Sequence, residues 1–433
     1  MAAIPHGRTR LLQANELLHA ILTQLQYPAD SVMNHYFSTH RKMGSKDRAF
    51  AAETVYGCLR RRRELTALHA PVAGEESDTA AWLTATWLLK YGGWSARALA
   101  DAGFDGGAVA LVERVRALDL FEFPLAVRAN LPDWLCERLV AQIGEAETLV
   151  LAEALNQPAS VDIRVNTSKT TRVALQQTLA EAGYDLVPTP HSPLGLRRDK
   201  RGPLFTTEAF RSGWFELQDE GSQLVGLLVE AQPKQKIMDF CAGAGGKTLQ
   251  LASVMGNSGV VYACDVSARR LDRIKPRLKR AGTDIIQRFL IRDEQDRKLA
   301  PLHGKMDTVL VDAPCSGTGT LRRNPDIKWK DINLAELAAL QSRILTAASH
   351  LVKPGGRLVY ATCSLLDSEN SEVIAALLDS HRGFHVLSAR DILARQGIDL
   401  KEGGTGEGAM RLLPNRHGTD GFYAVVMQRS LSD

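Results

Sequence analysis

The chain lacks most of the features that assign a class at a glance. Its six cysteines, Cys58, Cys136, Cys241, Cys264, Cys315 and Cys363, are too few and too scattered for a disulfide framework. None of them forms a C-x-x-C pair, which argues against a structural zinc site, and no metal is expected. No run of about 18 apolar residues occurs, so nothing is written to span a bilayer. The opening stretch MAAIPHGRTRLLQANELL lacks the uninterrupted apolar core of a secretory signal. Together these two absences point to the cytosol. No internal repeat and no low-complexity segment appears.

What is present is a soluble globular mix, 45% apolar and 24% charged. At 433 residues and 47.4 kDa the chain exceeds one ordinary core, and two or three domains are expected. Net charge is only +4, but its distribution is uneven. Residues 1–70 hold ten Lys/Arg against five Asp/Glu, including Arg60-Arg61-Arg62-Arg63. Arg269 to Arg280 holds seven Lys/Arg and one acid, Asp272, and Arg322-Arg323 is followed by Lys328 and Lys330. Each stretch alone reads as a solvated helix face. Jointly they fit a surface that tracks a polyanion backbone, whose binding rests largely on neutralised phosphates.

Periodicity divides the chain into three. Over residues 1–130, Leu17, Leu18, Ile21, Leu22 and Leu25 fall at helical spacing, and Ala80 to Leu89 is Ala/Leu/Trp-rich without strand alternation. Breaks fall at Ala73–Asp78 and Gly103–Gly107. Over 131–215 a linker helix, Trp134 to Ile143, leads into a small α+β unit. There Val161, Ile163 and Val165 alternate as a strand, Arg172 to Ala182 reads as a helix, and short strands follow around Tyr184–Pro188 and Leu194–Leu196. Over 216–433 strand and helix alternate, which predicts a parallel sheet. Its strands are expected at Ile237–Phe240, Val260–Cys264, Phe289–Ile291, Thr308–Val311, Arg357–Ala361 and Phe422–Met427.

The turn Asp239-Phe240-Cys241-Ala242-Gly243-Ala244-Gly245-Gly246-Lys247-Thr248 imitates the end of a phosphate-binding P-loop. Cys241 stands where that loop requires a glycine. The alternative is a dinucleotide or S-adenosylmethionine turn, with Asp265 closing the next strand, where an acid can accept both ribose hydroxyls. Further on, Asp312-Ala313-Pro314-Cys315 and Ala361-Thr362-Cys363 each bring a thiol just past a short apolar strand. Ligand sites of open α/β sheets lie outside these strand ends. Carbon 5 of a pyrimidine is too poor a nucleophile to attack a methyl sulfonium, and adding a thiolate to carbon 6 makes it carbanion-like. A carboxyl group can hold N3 and the exocyclic amine, and a second acid/base group serves proton removal and thiol elimination. Two cysteines and Asp312 supply that set.

On DFCAGAGGKT, the acid of ACDVS, DAPCSGTGTLRRNPDIKW, LVYATCSLLDSEN and the terminal DGFYAVVM, residues 131–433 resemble the RsmB/NOP2/Sun family of S-adenosylmethionine-dependent RNA cytosine-5 methyltransferases. NLPDW, RVNTSK and ELQDEGSQL are similar to family segments too. The stretch MGSKDRAFAAETVYGCLRRRREL resembles, more loosely, a NusB-like RNA-binding domain. The resemblance implies a Rossmann-like α/β methyltransferase domain, preceded by a small α+β RNA-recognition-like domain and an all-α NusB-like domain. It implies ribosomal RNA, 16S by the domain arrangement, as substrate, free or in an early assembly intermediate, and a cytoplasmic monomer. It implies that Cys363 is the nucleophile, that Cys315 assists proton removal and product release, and that Asp312 holds the base edge. Cys241, Ala242, Gly243, Ala244, Gly245, Gly246 and Lys247 would cradle the cofactor, with Asp265 at the ribose and Asp293, beside Asp296, at the adenine. Ala244 replaces the family's usual Pro and Gly221 a common Ser; neither removes a chemical group.

Other readings stay beside this one. A DNA cytosine-5 methyltransferase would use the Pro-Cys thiol as nucleophile, but no Glu-Asn-Val segment accompanies it. A paralogue acting on another RNA and a non-catalytic RNA-binding assembly factor are the remaining alternatives. Cys241 and Cys264 read as small packing residues. Trp329 is either a stacking platform or a half-buried anchor. Arg60 to Arg63 either contacts phosphate, the reading its basic neighbours favour, or lines a solvated helix, and the histidines show no ligand spacing.

Overall fold

The computed structural model describes residues 6–72, 79–104, 107–117, 119–199, 202–400 and 408–431. The break expected at Ala73–Asp78, and Asp105 and Gly106 of the second, lie outside the described residues. The chain forms two compact units: residues 1–158 with 320–331, and residues 159–319 with 332–433.

The first unit is helical among its described residues. Leu17, Leu18 and Ile21 lie on one face of the helix Gly7–Leu22 and are fully buried with Val55, Leu59, Leu65 and Leu83. That face is the apolar stripe read from the sequence. The linker helix runs Asp133–Ile143 and is followed by Glu145–Leu155. Residues 320–331, which interrupt the second unit in sequence, are packed as part of this one.

The second unit carries two sheets. The smaller has four strands, β1 (Val161–Val165), β2 (Val187–Pro188), β3 (Gly195–Arg198) and β4 (Phe215–Leu217), in the order β2-β3-β1-β4, all antiparallel. The helix Arg172–Glu181 packs Leu175 and Leu179 on it.

The larger sheet is built from β5 (Lys236–Asp239), β6 (Val260–Asp265), β7 (Ile286–Leu290), β8 (Met306–Asp312), β9 (Val352–Thr362), β10 (Phe384–Leu387), β11 (Met410–Leu412) and β12 (Phe422–Arg429). Its order is β10-β12-β9-β8-β5-β6-β7, with β11 on β12. β5 to β9 are parallel, so each returns through a crossover, and the inner strands β5 and β8 are largely buried. The expectation of a wholly parallel sheet is corrected: β12 runs antiparallel to β9 and pairs in turn with β10 and β11. β10 and β11 are short and partly polar, which hides them from pattern reading. β7 begins at Ile286, three residues before its expected start, because its exposed Gln287 and Arg288 dilute the apolar run. No helix among the described residues is long and apolar enough to cross a membrane.

Candidate active site

β8 and β9 are parallel neighbours with Asp312 paired to Ala361, so the loops that follow them leave the sheet side by side. This brings together two thiols that are 48 residues apart in sequence, with Cys315 Sγ 3.5 Å from Cys363 Sγ. The hydrogen bond to Cys363 pushes the Cys315 thiol well above the ordinary cysteine range. Burial and the charges of Cys363 and Glu369 add to this, and the Gly317 backbone partly offsets it. The Cys315 thiol is therefore held in its protonated form.

The loops are locked to each other. Gly319 N donates to Cys363 O and Gly421 N donates to Gly319 O, both at 2.8 Å. A Cβ on Gly319 would stand 2.2 Å from Gly421 O, so the close approach requires glycine. Below them lies Glu369, fully buried. One of its carboxylate oxygens accepts from Ser316 N at 2.8 Å and Gln341 Nε2 at 3.0 Å, the other from Ser316 Oγ and Ser364 Oγ at 2.5 Å each. Tyr360 Oη donates to the Glu369 carbonyl at 2.6 Å.

Asp312, the last residue of β8, faces the glycine-rich turn and accepts from Lys247 Nζ at 2.7 Å. Burial works against the Lys247 ammonium, but the charge and hydrogen bond of Asp312, with Asp239 and Cys363 adding to them, hold its pKa above the ordinary lysine value. The sequence reading placed Lys247 with the cofactor cradle alone; its ammonium also belongs to the carboxylate between cradle and thiols.

The turn itself follows β5. Gly243 and Gly245 take positive φ, 55° and 83°, and a Cβ on Gly245 would press on Ile274 Cγ1 at 2.9 Å. A Cβ on Gly246 would meet nothing within 4 Å, so the backbone there borders open space. Ala244 is exposed and Ala242 buried. At the end of β6, Asp265 accepts from Gly243 N at 2.9 Å and Ser267 N at 2.7 Å, which holds its carboxylate at the rim of the turn. Asp293 is exposed, whereas Asp296 is buried and accepts from Arg292 N and Lys298 N at 2.8 and 3.0 Å. Asp296 is thus a structural acid and Asp293 the available one. Open backbone, left-handed glycines and an acid at the next strand end fit an adenosyl group carrying a sulfonium.

Two arginines hold this turn from behind. Arg164 of β1, 2% exposed, donates to Gly246 O at 2.8 Å and to Gln218 Oε1. Arg277 donates to Ala244 O and, at 2.9 Å, to Glu216 of β4, which Arg280 also contacts. The small sheet therefore buttresses the cradle. Pattern reading missed Arg164, Arg277 and Glu369, although Arg164 opens the quoted RVNTSK and Glu369 lies in LLDSEN.

Several bland readings hold. Cys264 is fully buried and Cys241 packs against the core. Trp329 is an anchor in the first unit, donating from Nε1 to Leu59 O at 2.8 Å. Arg60–Arg63, read either as phosphate contacts or as a solvated face, make contacts within the first unit. Arg60 donates to Arg322 O, Arg61 to Glu64 and Glu153, and Arg63 to Leu131 O and Asp133, while Arg62 lies over the Trp329 ring. Among the described residues no group of three or more His, Cys, Asp or Glu side chains is placed to hold a metal ion.

Residues 226–428 match the family described as 16S rRNA methyltransferase RsmB/F, and residues 131–204 match its ferredoxin-like domain. The chain is 32% identical to the "Probable ribosomal RNA small subunit methyltransferase B" of Synechocystis sp., covering 89% of this chain and 92% of that protein. It is also 32% identical to the ribosomal RNA small subunit methyltransferase B of Citrobacter koseri, over 82% and 87% respectively. The crystal structure of PH0851 superposes with a TM-score of 0.77 at 25% identity, over 99% of this chain and 100% of that one.

Proposed function

The chain belongs to the 16S rRNA methyltransferase RsmB/F family, and we propose that it methylates carbon 5 of a 16S ribosomal RNA cytidine through a covalent adduct between Cys363 and carbon 6. The observation that carries this reading is the 3.5 Å approach of Cys315 and Cys363 beside the Lys247–Asp312 pair. S-adenosylmethionine is the methyl donor of such enzymes and supplies an electrophilic methyl group when bound in the cradle.

In the proposed sequence the target base leaves its stack, since carbon 6 is inaccessible inside a helix. Asp312, supported by Lys247, holds the N3 and exocyclic-amine edge. The Cys363 thiolate bonds to carbon 6, and carbon 5 would take the methyl group as the methyl–sulfonium bond breaks, its electrons staying on the donor sulfur to leave a neutral thioether, S-adenosylhomocysteine. The Cys363 sulfur is then a neutral thioether, which removes its charge from beside the Cys315 proton while burial and Glu369 remain. Cys315 loses that proton to solvent and accepts the carbon-5 proton in its place. The Cys363–carbon 6 bond breaks with its electrons returning to sulfur, which restores the thiolate. The two thiols thus have unequal roles despite their equivalent positions after β8 and β9.

In this reading residues 1–130 form a NusB-like RNA-binding domain, 131–215 a linker helix and RNA-recognition-like domain, and 216–433 the catalytic domain. The enzyme works as a cytoplasmic monomer on free RNA or an early assembly intermediate. Bisulfite sequencing of ribosomal RNA from cells with and without the protein tests the proposal. One 16S cytidine should lose its protection from conversion in the deleted strain. Unchanged 16S protection would contradict it, and loss at a cytidine in another RNA would favour the paralogue.

A further inference from the structure

A buried carboxylate with no cation in contact is costly unless every acceptor position is filled. Among the described residues no cation pairs with Glu369, which is 0% exposed and lies six residues after Cys363, in the short turn Asp367–Glu369. Its partners are not scattered. Ser316 is the residue after Cys315 and Ser364 the residue after Cys363, and one carboxylate takes hydrogen bonds from both, three from the first and second together, with Gln341 supplying the fourth donor.

The surrounding bonds fix the carboxylate in turn. Tyr360 Oη holds the Glu369 carbonyl at 2.6 Å, while Asn370 accepts from Thr362 Oγ1 at 2.6 Å and donates to Ser364 O at 3.0 Å. Gln341 Nε2 also lies 2.9 Å from Pro314 O. Tyr360, Thr362 and Asn370 thus tie the Glu369 turn to the strand and loop of Cys363, and Gln341 joins Glu369 to the loop of Cys315.

We propose that Glu369 is the positioning residue of the two-cysteine centre: it clamps the residues that follow Cys315 and Cys363 and so holds the helper thiol within reach of the nucleophile. The inference rests on the reading of Cys363 as nucleophile and Cys315 as releasing group. It makes a demand of its own. Loosening the clamp must impair release while both cysteines remain in place.

Glutamine is the conservative replacement. Its carbonyl can accept from Ser316 N and Gln341, and its amide can donate to the two serine hydroxyls, which reverse their roles without moving. Glu369→Gln should therefore keep turnover within about tenfold of wild type. Glu369→Ala removes all four bonds. It should lower kcat by roughly a hundredfold, leave the S-adenosylmethionine Kd within about twofold, and accumulate a covalent enzyme–RNA adduct on a denaturing gel. A purely structural role would lower folded protein and adduct together. Should Glu369→Ala not fold, the double variant Ser316→Ala/Ser364→Ala removes only the hydroxyl arms and should give the same adduct in weaker form.

Cys315→Ser is run in the same assay. If it traps the adduct while a folded Glu369→Ala, or the folded serine double variant, turns over normally or is inactive without adduct, the positioning role is wrong and the cysteine assignment stands. If Cys315→Ser traps nothing, the cysteine assignment fails, and the inference about Glu369 falls with it.

Discussion

Lys247 Nζ donates to Asp312 Oδ2 across 2.7 Å, which joins the glycine-rich turn after β5 to the end of β8. The lysine side chain is 8% exposed and the aspartate 32%, so the pair is shielded on one side and open to a substrate on the other. The two groups should act as a unit. Lys247→Met and Asp312→Asn are each expected to lower kcat by about two orders of magnitude, and the double variant by little more than either. Additive losses in this cycle would show that the pair does not work together.

The back of the cradle makes a separate demand. Arg164 reaches Gly246 O from the small sheet, its Nη1 donating to both Gly246 O and Gln218 Oε1, and the flexible stem of a lysine does not fix a donor in that place as the guanidinium plane does. Arg164→Lys should weaken S-adenosylmethionine binding roughly tenfold by calorimetry, with the adduct chemistry of saturated enzyme unchanged. An unaltered Kd would separate the small sheet from the cradle.

The helix Ala268–Ala281 leaves most of its cations to solvent: Arg269, Arg270, Arg273 and Lys279 are all exposed. Replacing these four by alanine should weaken RNA binding without changing cofactor affinity. The slope of log K against log salt should fall in magnitude by roughly 2 to 3, at about 0.7 per phosphate on single strands. An unchanged slope would place the RNA elsewhere.

Burial raises the Asp239 carboxyl from 3.8 to about 7; the hydrogen bond from Thr248 pulls the other way and the Asp312 charge adds to the rise. A carboxyl raised in the folded state binds more protons there than in the unfolded chain. Its contribution is therefore full below the unfolded pKa and is lost as pH rises through the folded value. Thermal melts of Asp239→Asn against wild type should move in the variant's favour between about pH 4 and pH 7 and level off above. A difference independent of pH would contradict the shift.

The sequence was most legible where chemistry and backbone coincide. Cys315, Cys363 and Asp312 could be read because each ends or follows a strongly apolar strand, and the cradle because its glycines interrupt strand and helix. The support was not legible. Glu369 looks like any acid in a polar turn until the fold buries it under both loops, and Arg164 like an outward residue of an alternating strand. Arg60–Arg63 shows the converse: a run of charge reads as surface, yet the first unit uses it internally. Long-range pairing decides all three cases, and periodicity carries no record of it. β10 and β11 escaped for the related reason that short partly polar strands are defined by their partner, β12.

The account turns on the unequal roles of two thiols 3.5 Å apart, and trapping the enzyme on its RNA tests this most directly. Cys315→Ser, incubated with S-adenosylmethionine and 16S RNA, should show a shifted protein band on a denaturing gel. Cys363→Ser should show neither band nor product while still binding cofactor. The reverse pattern, an adduct formed by Cys363→Ser and none by Cys315→Ser, would make the Pro-Cys thiol the nucleophile and contradict the account.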